Sequence, residues 1–288
     1  MLKPKQMRLF GVIQDTLPEI VRTYNGKVHN FSAGCLFCYF RLELPKQILK
    51  APEGIVSFQY RGKIKTFVFA NKLTNLQEKY LQTMQEKGPV YSEIRIPLKK
   101  EQKCKEIAYS VSDVFNPDSY PNAKKRHQRI VYPINWIEKQ GYTIEEIKES
   151  NISEIQALHA AWVDFKMNQP GTFKIMFPTG RYIHCCENIL TGLLPGLKGF
   201  VVRNNKQQIE VVRVIYQNQD KAFDLAFFGN IWNAPSQLMN YADICVLRLL
   251  HLQGITFFNC GLGLNKSLSS FKQHLPSMEI ISYCYPKI

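Results

Sequence analysis

The sequence predicts an α+β protein built around a mixed β-sheet, and three features carry that expectation. The 288 residues are 45% hydrophobic and 12% aromatic, enough to furnish a packed core. Runs rich in β-branched and aromatic residues, several alternating with period two, are interleaved with segments whose apolar residues recur at helical spacing. From residue 142 onward the order becomes regular: strand, two helices, three consecutive strands, a long helix, a strand, a short helix and a last strand.

In the first third, GCLFCYFRLEL, GIVSFQYRGKIKTFVFANKL and VYSEIRIPL read as strands. Between the last two, TNLQEKYLQTMQEKG reads as a helix: Leu76, Tyr80, Leu81 and Met84 share a face and Gly88 stops it. The Pro- and Asn-rich stretch near residues 113–122 is a joint. A basic cluster follows it, and Pro133 is expected to interrupt any helix there. YTIEEIKES is a strand, NISEIQALHAAWVDFKM an amphipathic helix capped near Ser153, and TGRYIHCCENILTGLLPG a second helical stretch. KGFVVRNN, IEVVRVIYQ and KAFDLAFFG are strands separated by short turns. QLMNYADICVLRLLHLQG is the strongest helix, with a stripe of Leu238, Ala242, Cys245, Leu249 and Leu252, and Gly254 as its stop. ITFFNCG is a strand, Leu264, Leu268, Phe271 and Leu275 mark a short helix, and MEIISYCYP is the last strand. The expected organisation is an N-terminal half over 1–115, a basic connecting segment over 116–141 and a C-terminal domain over 142–288. No repeat of solenoid period is present.

The net charge of +14 bears on partners rather than fold: such a field draws in polyanions, whether nucleic acid, acidic lipid surfaces or phosphate-rich donors. No run approaches the roughly 18 apolar residues of a membrane helix. The start, MLKPKQMRLFGVIQD, has no apolar core of signal-peptide length, so the expected location is cytoplasmic. The eight cysteines are scattered. Cys35 and Cys38 form a CxxC, and His184, Cys185 and Cys186 are adjacent, but the CxxC lies in a strand-like run where the two side chains diverge. Reduced thiols and no metal are expected.

The element order from residue 142 resembles the GCN5-related N-acetyltransferase (GNAT) fold. NYADICVLRLLHLQGITFFNCGLGLNKSLSSFKQHLP is similar to the corresponding stretch of Fem-type aminoacyl transferases and of the lysyl-phosphatidylglycerol synthase transferase domain, with a long helix, a glycine, a strand, a glycine-bearing turn and a helix containing Phe-Lys. The basic segment AKKRHQRIVYPINWIEKQGY is also similar to that group, and GIVSFQYRGKIKTFVFANKL with the helix after it is compatible with a degenerate GNAT-like first half, hence a tandem GNAT.

The resemblance implies an acyl or aminoacyl transferase acting on an amine, with an acyl donor that is either aminoacyl-tRNA or acyl-CoA. It assigns the donor to the junction before the long helix, at Phe228, Gly229, Asn230, Ser236 and Gln237. That junction, FFGNIWNAPSQ, departs from the glycine-rich cradle of acetyl-CoA-dependent members, whose backbone N–H groups hold a pyrophosphate. A conventional acetyl-CoA-dependent N-acetyltransferase is therefore the third reading. The second is a non-catalytic GNAT-like module that binds nucleic acid such as tRNA or DNA.

Acyl transfer to an amine needs a base, donors for the oxyanion and a proton for the leaving group. Lys272 matches the Phe-Lys position and lies about 40° beyond Leu268 at roughly 100° per residue, at the margin of the apolar stripe. It is a candidate for stabilising negative charge, or a lysine snorkelling at a helix edge. Asp224, flanked by apolar residues in KAFDLAFF, is a candidate base, with the solvated face beside Lys221 as the alternative, and Glu210 is a second carboxylate. Asn259 and Cys260 end a strand where the sheet should splay; Asn259 is a catalytic candidate beside Lys272 and Asp224, and Cys260 reads as a packed thiol. Ser267, Ser269 and Ser270 read as capping residues, and His184 with Arg181 has no assigned role. Lys124, Lys125, Arg126 and Arg129 are candidates for a phosphate backbone, with Tyr132 and Trp136 available for stacking, or a solvated face.

Overall fold

The structure, a computed structural model, describes residues 47–60, 63–168, 181–190, 196–235, 237–262 and 266–288. The strand read in GCLFCYFRLEL and the Cys35/Cys38 pair lie outside the described residues. In chain order the elements are β1 (Gln47–Leu49), β2 (Ile55–Tyr60), β3 (Lys63–Val68), α1 (Asn75–Lys87), β4 (Val90–Ser92), β5 (Gln102–Ser110), α2 (Val111–Phe115) and α3 (Ala123–Arg126). A π turn at His127–Val131 leads into α4 (Tyr132–Glu138), followed by β6 (Thr143–Glu146), α5 (Ile152–Met167), α6 (Arg181–Leu190) and β7 (Leu197–Arg203). The rest are β8 (Ile209–Asn218), β9 (Lys221–Gly229), α7 (Leu238–Leu252), β10 (Phe257–Leu262), α8 (Lys266–Lys272) and β11 (Met278–Tyr285). No helix among the described residues is long and apolar enough to cross a membrane.

The chain forms two compact units, one reaching to Lys105 and including Ile280–Ile288, the other Glu106–Glu279. In the first, β1, β2 and β3 form an antiparallel meander and β4 pairs parallel to β3. A strand parallel to its predecessor needs a crossover, and α1 supplies it. Thr74 caps α1 with a reciprocal capping box to Gln77. Leu81 and Met84 of α1 pack on Ile55, Val68 and Val90.

The sheet of this unit takes its fifth strand from far along the chain: Tyr283, Cys284 and Tyr285 of β11 pair antiparallel with Ser92, Tyr91 and Val90. Tyr285 is fully buried and its hydroxyl oxygen accepts from the Ile96 N–H at 2.8 Å. Gln85 reaches the same strand end, donating to the carbonyls of Lys99 at 2.6 Å and Pro286 at 3.1 Å.

In the second unit β6, β7, β8 and β9 are an antiparallel run, β10 lies parallel to β9, and β5 closes the far side antiparallel to β10. Meander, crossover helix, parallel strand and a final antiparallel strand therefore occur in both units. In this unit the closing strand comes from the chain preceding its own meander. Helix α7 with α4 covers one sheet face through Ile137, Val202, Val211, Leu238, Tyr241 and Ala242. On the other face His159 and Trp162 of α5 pack against Phe228, at ring distances of 5.1 and 5.8 Å.

Three expectations are corrected. Pro133 does not break the basic segment: it sits in the first turn of α4, where its missing N–H is no loss, and the π turn before it absorbs the register. The α7 stripe is rotated from the expected one. Leu252 is 76% exposed, while Tyr241, Asp243, Ile244, Val246, Leu247 and Leu250 are buried, because a helix apolar on most sides does not define a single face by periodicity. VYSEIRIPL forms a strand only over Val90–Ser92, and the well-formed β5, with charge in its first half, has no counterpart among the expected strands.

If Tyr285 holds β11 in place, Tyr285→Phe leaves the buried Ile96 N–H without its acceptor. The expected loss is about 1–3 kcal/mol in urea unfolding at an unchanged m-value; an unmoved midpoint would show that strand pairing alone holds β11.

Candidate active site

The site begins where two parallel strands part. Phe257, Phe258 and Asn259 of β10 pair with Lys221, Ala222 and Phe223 of β9, and both strands continue beyond this ladder, β9 to Gly229 and β10 to Leu262. Asp224 and Cys260 are the first residues past the ladder. On its other side β10 carries an irregularity against β5 between Asn259 and Leu262, with Gly261 at φ 75°, a left-handed conformation that glycine adopts without Cβ strain. Asn259 builds this kink: its Oδ1 accepts the Gly261 N–H at 2.7 Å, and its Nδ2 donates to the buried carboxylate of Glu106 at 2.9 Å. Both ends of the Asn259 amide are thus engaged inside the sheet.

A second irregularity aims the acid. Across β8 and β9, Val214 faces Ala226 but Ile215 faces Asp224, so Leu225 is an extra residue in β9. Plain alternation would put Asp224 on the face of Phe228, under α5. The bulge shifts it to the face of Phe227 and Arg213, under α7.

Arg213 is 2% exposed and stands between the rings of Phe227 and Phe258, its guanidinium carbon 4.4 and 4.9 Å from the two centroids. It donates to the buried carboxylate of Asp243 on α7 and lies 3.4 Å, Nε to Oδ1, from Asp224. That second contact lacks hydrogen-bond geometry, leaving Arg213 Nε and Asp224 Oδ1 as buried polar atoms without a hydrogen bond. His274 places Nε2 3.8 Å from the other Asp243 oxygen while its Nδ1 meets the Phe271 carbonyl.

Lys272 lies at the end of α8, partly buried. Its ammonium donates to the Cys260 carbonyl, and the Tyr109 hydroxyl of β5 donates to the Lys272 carbonyl. The carbonyl just past the parted ladder is thereby capped by a cation. Phe271, next to it, packs on Phe227 and His274 at 6.0 and 5.3 Å.

The electrostatics follow from burial. Desolvation raises the Asp224 carboxyl above its ordinary range, opposed by the nearby charges of Arg213 and Lys272. Desolvation lowers Lys272, while Cys260 and Asp224 hold it up. The Cys260 thiol is pushed far up, first by burial and then by Asp243, so it is a packed thiol rather than a thiolate nucleophile.

The structure brings Lys272, Asp224, Asn259 and Cys260 to the parting of β9 and β10. The donor-junction candidates lie elsewhere on the same unit. Phe228 is fully buried on the opposite sheet face; Gly229 and Asn230 turn out of β9; Gln237 stands at the N-cap of α7 with its Oε1 accepting from Asn240 at 3.2 Å. Ser236, residues 263–265 and the side chains of His184, Cys185, Arg181 and Ser267 lie outside what is described. Ser269 is half-buried and Ser270 exposed.

Glu210 accepts from two asparagine amides, at 2.8 and 2.7 Å. Among the basic residues, Lys124 and Lys125 are exposed, whereas Arg126 and Arg129 are half-buried and close enough to bear on the Tyr120 hydroxyl. Tyr132 is 45% exposed. No group of His, Cys, Asp and Glu among the described residues is arranged to hold a metal ion.

Arg213, Asp243, Tyr109, Glu106 and His274 join the site without having been among the sequence candidates. The available signal is an arginine inside IEVVRVIYQ and an aspartate inside NYADICVL, charges of opposite sign in runs otherwise bound for the core.

No family model matches the chain, and no curated protein does. Solved structures do. A conserved protein of unknown function from Bacteroides thetaiotaomicron is 16% identical with a TM-score of 0.63, covering 95% of this chain and 96% of its own. L-PGS from Bacillus licheniformis is 14% identical with a TM-score of 0.58, covering 98% and 91%. A GCN5-related N-acetyltransferase from Kribbella flavida is 9% identical with a TM-score of 0.51, covering 88% and 92%. At such identities the likeness is one of fold, and the chain has the mixed α/β architecture of the GNAT fold, in the form also seen in L-PGS.

Arg213→Met should strip the buried Asp243 and Asp224 of their cation and destabilise by about 3–5 kcal/mol. Without the guanidinium, which opposes the effect of burial, the Asp224 carboxyl titrates still further above its unfolded value. The native state is then favoured below the unfolded aspartate pKa and loses stability as pH rises through the folded value. Urea unfolding at pH 5 and pH 8 should therefore show a larger deficit at pH 8; equal deficits would remove the ion pair from the account.

Proposed function

We propose that the chain is an acyltransferase that moves an acyl or aminoacyl group onto an amine, with Asp224 as base and Lys272 as the cation that meets the developing negative charge. The observation that carries this reading is the convergence of a carboxyl held above its ordinary pKa and a partly buried lysine at the parting of β9 and β10, within a GNAT fold. In the reaction the amine nitrogen attacks the acyl carbonyl carbon and a C–N bond forms. The amine proton passes to the Asp224 carboxylate, whose Oδ1 has no hydrogen-bond partner. The acyl–oxygen or acyl–sulfur bond breaks, and the Lys272 ammonium stabilises the departing oxygen or sulfur and supplies its proton.

The donor is read as aminoacyl-tRNA ahead of acyl-CoA. At the β9–α7 junction the N–H groups of Asn230, Ile231, Asn233 and Ala234 are already bonded within the chain, to Glu210, Gly229 and Asn230. That supports a donor other than one whose pyrophosphate needs those groups. The exposed Lys124, Lys125 and Tyr132 support a polyanionic partner along the connecting segment, with Asn259 read as a positioning residue and the residues up to 115 as a degenerate GNAT half.

Native mass spectrometry of freshly purified protein identifies a co-purifying donor, acyl-CoA or tRNA, and thereby the assay. In that assay Lys272→Ala and Asp224→Asn should each lose about 10²–10³-fold in kcat while unfolding at near the parent midpoint. The pH–rate profile should be a bell whose limbs are drawn inward from about 3.9 and 10.4, the ordinary aspartate and lysine values, since burial raises the acid and lowers the base. Asp224→Asn should remove the acid limb; a profile unchanged by both variants refutes the assignment. Lys124→Ala with Lys125→Ala should reduce the slope of log K against log salt for tRNA by up to about 2. An unaltered slope would leave those lysines out of the polyanion site.

A further inference from the structure

Glu210 is buried at the start of β8, and its carboxylate ties two loops together. One oxygen accepts from Asn204 Nδ2 at 2.8 Å, the other from Asn230 Nδ2 at 2.7 Å. Asn204 in turn organises the β7–β8 turn, its Oδ1 accepting the N–H groups of Lys206 and Gln208 at 2.9 and 3.0 Å. Asn230 opens the β9–α7 junction: its Oδ1 accepts the Asn233 N–H at 3.2 Å and its carbonyl the Ala234 N–H at 3.1 Å. The Glu210 backbone carbonyl takes the Asn230 N–H at 2.8 Å, and a Cβ on Gly229 would stand only 2.7 Å from that same oxygen. The junction is thus fixed at its first residue by a backbone contact only glycine permits and by a charged side chain.

The polarity of this arrangement is specific. An ionised carboxylate only accepts, so it can satisfy two amide NH₂ groups at once. A neutral carboxamide carries an acceptor on one arm only, whereas the two asparagines here meet different oxygens. Asn230 cannot turn its amide over to compensate, because its Oδ1 already serves Asn233.

We infer that Glu210 is a positioning residue for the acyl donor: through Asn230 it sets the backbone of the β9–α7 junction in the shape that receives the donor, and it does not itself act as a base. This rests on the acyltransferase reading, with the donor at the junction to which the resemblance assigns it, and on the hydrogen bonds alone for the positioning.

The test is Glu210→Gln paired with Asn230→Asp. In Glu210→Gln the new oxygen can still serve Asn204, but its NH₂ faces the NH₂ of Asn230, so only the junction contact is lost. In the double variant the Gln NH₂ meets an aspartate oxygen, and the second aspartate oxygen keeps Asn233. Hydrogen exchange followed by mass spectrometry over residues 228–235 should quicken about ten- to hundredfold in Glu210→Gln, the loss of one hydrogen bond to a charged group. It should return to within about threefold of the parent in the double variant. Asn230→Asp alone, carboxylate against carboxylate, should exchange fastest.

Affinity for the donor, probed separately with unfractionated aminoacyl-tRNA and with coenzyme A, should fall about tenfold in Glu210→Gln and recover in the double variant, with kcat nearly constant wherever turnover is measurable. Exchange unchanged in Glu210→Gln, or no better in the double variant, overturns the positioning role. Exchange that responds while affinity does not overturns the link to the donor. Failure of the parent protein to bind either probe fails the acyltransferase reading instead, and the exchange result still decides whether Glu210 holds the junction.

Discussion

The constraint on which the second unit depends is the burial of Arg213. A guanidinium taken out of water between two phenylalanine rings needs a carboxylate in reach, and Asp243 on α7 is that carboxylate. This pairing fixes where α7 sits over the sheet more narrowly than apolar packing would. It also requires β8 to present the arginine toward α7, and it makes the parting of β9 and β10 an electrostatically loaded place. Asp224 and Lys272 are drawn into the same field, so the groups suited to proton transfer and the group that anchors the helix are parts of one buried network. Buried ionic networks restrict the arrangements a core can adopt, and here the restriction falls on the elements around the candidate site.

Two kinks in the sheet turn that network into a candidate site. The extra Leu225 in β9 brings an acid from one face to the other, and the Asn259–Gly261 turn in β10 stops the strand from following β9. Each is a departure from regular pairing at the point where regular pairing would have closed the gap. The inference that irregular strands mark functional places has a plain mechanical basis here: without the bulge Asp224 would lie beneath α5, far from Lys272.

Much of this architecture is legible in the amino-acid sequence. The strands and helices from residue 142 onward lie where period-two and helical spacing put them, and residue type with position in the element order singles out Asp224, Asn259 and Lys272. What stays hidden depends on tertiary partners. A bulge is invisible to alternation counting, so the face of Asp224 is undetermined by spacing. The stripe of α7 is misplaced because the helix is apolar on most sides, and Asp243, which reads as a surface residue, is made a core residue by its partner on β8. Strand β5 begins with Gln102, Lys103 and Lys105, a pattern that reads as loop until Tyr109 and Glu106 are seen packed inside. The junction before α7 reads as a poor pyrophosphate cradle from its single glycine, while the bonds that hold the N–H groups of Asn230, Ile231, Asn233 and Ala234 within the chain depend on Glu210 and on turn geometry that spacing does not reveal.

The exchange of closing strands has a consequence for how the chain is made. The sheet of the N-terminal unit includes residues synthesised long after its own meander, whereas β5, which closes the second unit against β10, is synthesised before the meander it completes. A ribosome-bound nascent chain can therefore collapse its early meander but cannot finish that unit until β11 has cleared the exit tunnel. Residues 47–105 are therefore no free-standing cassette, since without β11 they lack a strand of their own sheet.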